Sequence, residues 1–142
     1  MKKVLLVLTL TLGTLVSNAQ LSVSSNTNRG TIGETSGVTL SYSVKTGYDT
    51  LYIITFKNEK YQYISDFKSL SYNSGTKSGN VSNQLYDLLL SSFDKDIKFK
   101  QEITLGEDKI ILAKIDDDKI WVWSTKGYFS LNKQSLKTIF NK

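Results

Sequence analysis

From Val38 onward the chain alternates: Val38, Leu40, Tyr42 and Val44 are separated by Thr39, Ser41, Ser43 and Lys45. A period of two sends the apolar set to one face, which predicts a half-buried strand. KTGYD turns the chain into LYIITF (51–56), whose β-branched and aromatic residues occupy both faces and suggest a central strand. KNEK, with Asn58 as turn residue, leads into YQYI as the second arm of a hairpin. SDFKSLSYNS follows as a weaker, Ser-rich strand or irregular segment, and GTKSG (75–79) as a loop.

The period then changes to a helical one. Val81, Leu85, Leu88, Leu89, Ser92 and Phe93 form one stripe, with Ser82 or Asn80 as N-cap, and Val81 and Tyr86 at the staple positions if Ser82 caps. After Asp94 to Asp96, strand alternation returns with Ile97, Phe99, Ile103 and Leu105 on one face. KIILAKI, KIWVWS and YFSL follow, joined by turns too short for parallel crossovers, so they form an antiparallel meander. NKQSLKTIF closes the chain as a helix capped by Asn132, with Leu131 and Leu136 as its staple. The order ββ(β)αββββα predicts an α+β fold: a single antiparallel sheet of about six or seven strands with two helices packed on it.

The stretch KIDDDKIWVW (114–123) offers three aspartates beside two tryptophans. A calcium loop spaces its carboxylates at alternate positions around a glycine, and this run has neither feature. It reads instead as a hairpin with Asp117 and Asp118 as loop residues. Asp116 then pairs with Lys119, Ile115 with Ile120, Ala113 with Val122, and Leu112 with Trp123. That register puts Ile111, Ala113, Ile115, Ile120 and Val122 on one core face. Trp121 and Trp123 fall on the other, with Ile110, Leu112 and Lys114.

The chain begins MKKVLLVLTLTLGTLVSNAQ, two lysines and an apolar run from Val4 to Val16, which reads as a secretory signal peptide (1–19) cleaved after Ala19. The run is shorter than the roughly 20 residues a membrane-spanning helix needs. This N-terminus, its SNAQ ending in particular, resembles signal peptides of Bacteroidota, which implies a periplasmic or secreted product. Residues 20–37 are rich in Ser, Thr, Asn and Gly and form an expected flexible leader with room for one short edge strand. Residues 38–142 form one domain.

Composition narrows the chemistry. With no cysteine and no histidine, the chain has no disulfide, thiolate nucleophile, imidazole base or usual zinc site. The net charge of +5 is mild and its lysines are scattered, which argues against nucleic acid as the main partner. There is no Gly-rich phosphate loop, so no cofactor and no metal are expected. Most carboxylates outside the triplet sit in predicted turns, helix ends or wet strand faces, beside lysines, and nothing selects a catalytic pair.

The aromatic residues remain as candidates. Trp121 and Trp123 share a strand face, Tyr61 and Tyr63 repeat their spacing, and Tyr52 on the preceding strand is placed to join them. Such a surface can stack on sugars or anchor a protein; the alternative is ordinary packing beneath a helix or the leader. The expected function is a small exported non-enzymatic binding or inhibitor-type module that engages an extracytoplasmic protein or glycan through an aromatic sheet face or an edge strand. The alternatives are a carboxylate-dependent glycan hydrolase and a structural or assembly component.

Overall fold

A computed structural model of the chain describes residues 27–45, 47–61, 63–75 and 81–142. The expected signal peptide, residues 20–26 of the leader, nearly all of the GTKSG loop and Asn80 lie outside the described residues.

The fold is α+β, with ten elements: β1 (Thr27–Glu34), β2 (Val38–Lys45), β3 (Leu51–Lys57), β4 (Phe67–Asn73), α1 (Val81–Ser92), β5 (Lys100–Leu105), β6 (Asp108–Lys114), β7 (Ile120–Ser124), β8 (Gly127–Leu131) and α2 (Lys133–Phe140). The expected single sheet is two. β1 to β4 form one four-stranded antiparallel meander and β5 to β8 another, each followed by a helix. β4 and β5 do not pair; α1 and a turn at 93–99 separate them, and the chain traces the same meander-then-helix path twice.

The two sheets and both helices share one core. Leu40, Ile54, Phe56 and Leu70 come from the first sheet, Ile110, Leu112, Val122 and Phe129 from the second, and Leu85, Leu89, Leu136 and Ile139 from the helices. Phe56 meets Phe129 across it with ring centres 4.6 Å apart. β1 lies against α2 closely enough that a Cβ on Gly33 would collide with the Thr138 carbonyl. α2 begins as its sequence suggests, the Asn132 side chain accepting from Ser135 N at 2.7 Å, and ends at Asn141 in the left-handed conformation.

Several local expectations are corrected. Tyr61, Tyr63 and Ile64 of YQYI are not in a strand, and Gln62 lies outside the described residues: β3 pairs instead with Phe67–Asn73, and the described residues of 58–66 form a connecting loop. Ser82 lies inside the first turn of α1 and is buried, its hydroxyl taking a hydrogen bond from the Tyr72 phenol at 3.2 Å. Ile97 is exposed, because Asp96 to Phe99 form a turn in which Lys98 adopts a positive φ of 83°.

The β6–β7 register is also shifted by one residue. Lys114 pairs with Ile120, Ala113 with Trp121, Leu112 with Val122 and Ile111 with Trp123, leaving a connection from Ile115 to Lys119. A one-residue slip exchanges the faces of a strand. Ile110, Leu112 and Lys114 therefore face the core, while Ile111 and Ala113 join the tryptophans. Lys114 is buried, and its ammonium donates to the carbonyls of Phe93 at 2.8 Å and Lys95 at 2.9 Å, where α1 ends.

Candidate functional site: an aromatic face and the groove beside it

β7 reads IWVWS, and its alternation sends Ile120 and Val122 into the core and both indoles outward. The connection to β8 is a two-residue turn, Thr125 and Lys126, so Ser124 pairs with Gly127 and Trp123 falls opposite Tyr128. Trp123 and Tyr128 stack, with centres 4.4 Å apart and planes 24° from parallel. Trp121 completes the cluster, 6.2 Å from Trp123 and 5.4 Å from Tyr128.

Both helices contribute to the core on the opposite side of this sheet. The outer face is open around Trp123, which is 39% exposed, with Ile111 at 40% and Ile115 at 52%. Lys100, Ile111, Ala113, Ile115 and Trp123 line an apolar depression of about 250 Å³. Trp121 lies deeper. Its Nε1–H is buried and has no hydrogen-bond partner among the described residues.

The 58–66 loop reaches this face through a side chain. Asn58 is buried; its Oδ1 accepts from Lys60 N at 3.2 Å and from Tyr128 N at 3.3 Å, while its Nδ2 donates to Asp66 Oδ2 at 3.0 Å. Beside it, Glu59 N donates to the Tyr128 carbonyl at 3.0 Å. The Glu59 carboxylate accepts from Ser130 N at 2.7 Å and Ser130 Oγ at 2.8 Å. The outer edge of β8 is thereby paired with a loop from the other half of the chain.

The junction leaves a groove of about 520 Å³ between the loop and the β7–β8 turn, lined by Tyr61, Trp123, Tyr128, Asp66, Lys68 and Lys126 among others. Lys68 pairs with Asp66 at 2.8 Å. The Lys68 ammonium, and after it the Asn58 amide, hold the Asp66 carboxyl below the usual carboxylate range. Lys126 pairs with Asp108 at 2.7 Å and donates to the Ser69 carbonyl at 3.1 Å, joining the turn to β4.

The structure brings Tyr61 into the groove with Trp123; Tyr63, 99% exposed, stands at the outer end of the same loop. Tyr52 is elsewhere. It stacks on Tyr72 at 5.3 Å on the first sheet and packs against the core, because it shares its strand face with Ile54 and Phe56. The aspartate triplet forms a turn in which Asp118 N donates to Asp116 Oδ1 at 3.1 Å. Among the described residues no cluster of acids could hold a metal ion.

Tyr128, Ile111, Ile115 and Asn58 were not singled out as site residues by their pattern. Tyr128 had a usable signal, since a two-residue Thr-Lys turn before Gly127 places it opposite Trp123. Asn58 had none beyond its turn preference, because the partner that ties it to this face, Tyr128, lies 70 residues away. The chain matches no known family model, and no similar curated protein or solved structure was found.

Proposed function

We propose that the chain is a small exported binding module that works without catalysis, engaging an extracytoplasmic glycan or protein through the outer face of its second sheet. The observation that carries this reading is the stacked Trp123–Tyr128 pair on a face turned away from both helices, with Ile111 and Ile115 exposed beside it. Large apolar side chains left in water together are costly unless something covers them in use. Stacked rings also lose little rotamer entropy when a ligand settles on them. Support for a binding role over a carboxylate hydrolase comes from Asp66, the acid in the groove. Its carboxyl is held low, the wrong direction for a general acid.

The test uses immobilised full-length chain beside a Trp123→Ser/Ile111→Ser variant, each exposed to the proteins and glycans of an extracytoplasmic fraction. A ligand should be retained by the wild type and lost by the variant. Equal retention by both, or by neither, would remove the aromatic face from the function.

A further inference from the structure

We propose that the groove between the 58–66 loop and the β7–β8 turn is a subsite for a neutral carbohydrate chain; the proposal rests on the binding-module reading above and names its ligand class. Three aromatic residues, Tyr61, Trp123 and Tyr128, line one groove together with Asp66, Lys68 and Lys126. That mixture matches a pyranose, which offers flat C–H faces to rings and a fringe of hydroxyls to charged donors and acceptors. The volume of about 520 Å³ is in the range of small-ligand sites.

Charge selects against other occupants. Lys68 is balanced by Asp66 and Lys126 by Asp108. Two of the three lysines that line the groove are thus paired with a carboxylate, which weakens its field for a polyanion, while a lining of three lysines and one aspartate offers a basic peptide little to hold. An acyl chain or apolar peptide would cover Asp66, Lys68 and Lys126 without returning their hydrogen bonds to water. Hydroxyls both donate and accept, so a neutral sugar serves both signs of charge.

The groove is also built in advance. Asn58 fixes one wall to the other through Tyr128 N and Asp66, and the Lys60 ammonium lies 5.6 Å from the centre of the Tyr61 ring, holding it from one side. A preset wall lowers the ordering cost of a weak, flat ligand.

Affinity electrophoresis of the full chain through gels containing galactomannan, laminarin, hydroxyethyl cellulose or polygalacturonate tests the assignment. At least one neutral polysaccharide should retard the wild type, with no effect of added sodium chloride. Tyr61→Ala and Trp123→Ala should weaken retardation about tenfold, and Ile97→Ser on the exposed turn after α1 should leave it unchanged. Thermal melts check that each variant folds, and Tyr61→Ala, in an exposed loop, carries the test if Trp123→Ala does not.

Retardation by polygalacturonate alone, abolished by salt, would overturn the neutral class and leave the binding reading standing. The same holds if no polysaccharide acts but an extracytoplasmic protein is retained through Trp123. If neither glycan nor protein is retained, both proposals fall.

Discussion

Asn58 stands where a side chain on Gly127 would have to go: its Cγ lies 2.6 Å from the position of a Cβ there, and Gly127 holds φ at +146°. Gly127→Ala therefore meets a collision and a backbone conformation that L-residues rarely adopt. The expected loss is about 2–4 kcal/mol, read from urea unfolding. In an Asn58→Ala background the collision disappears and only the backbone cost remains. The two losses should then sum to more than the double mutant shows.

Lys114 holds the end of α1 from below. Replacing it with Met keeps the apolar stem but leaves the Phe93 and Lys95 carbonyls without their donor. Lys114→Met should cost about 1–3 kcal/mol, against less than about 0.5 kcal/mol for Lys119→Met on the exposed turn. Equilibrium denaturation of both variants decides it.

Burial, offset in part by the hydrogen bond to Ser82, pushes the Tyr72 phenol up to about 12. Its unfolded counterpart ionises near 10. The folded state thus keeps a proton that the unfolded state releases. The stability linked to Tyr72 is fully present below pH 10 and is lost as pH rises through about 12, by at most about 2–3 kcal/mol. Urea midpoints measured from pH 8 upward should fall over that window, and Tyr72→Phe should remove this part of the fall.

The two indoles differ in kind. Trp121 carries a buried N–H with no partner among the described residues, so Trp121→Phe removes this donor along with some volume and should change stability by less than about 1 kcal/mol. Fluorescence of that variant, which retains Trp123, should be strongly quenched by acrylamide. Trp123→Phe, retaining Trp121, should be protected. The opposite order of quenching would place the wrong ring at the surface.

Much of the fold was legible where one face alone is apolar. β2 alternates without exception, β7 separates its indoles from Ile120 and Val122, and the Asn132 cap of α2 sits where the chain's polar-to-apolar switch puts it. The β6–β7 register was not, because β6 carries Ile110, Ile111, Leu112 and Ala113 in succession and either face can pass for the core. Asp117 and Asp118 do not take the positive φ that a type I′ turn sets at both positions, and the connection is longer than two residues. Sheet number was equally hidden, since nothing local to β4 or β5 says whether their edges meet. YQYI has strand periodicity but lies in the loop that Asn58 holds, by bonds that are distant in sequence.

The corrected register makes its own prediction. Leu112→Ala should cost about 2–5 kcal/mol and Ile111→Ala less than about 1 kcal/mol. The hairpin turning at Asp117 and Asp118 demands the reverse, and thermal denaturation of the pair separates them.

Each meander, with its short turns, can form from neighbouring strands, but the bonds from Asn58 and Glu59 to Tyr128 and Ser130 span 69 to 71 residues. Ordering such a span is entropically costly and goes unrewarded until both halves have their strands in place. The groove is accordingly a seam between the two halves of the chain, complete only when both meanders are in place. A ligand lodged there would bridge the halves, slow their parting, and raise the unfolding temperature of a chain that has no disulfide to do so.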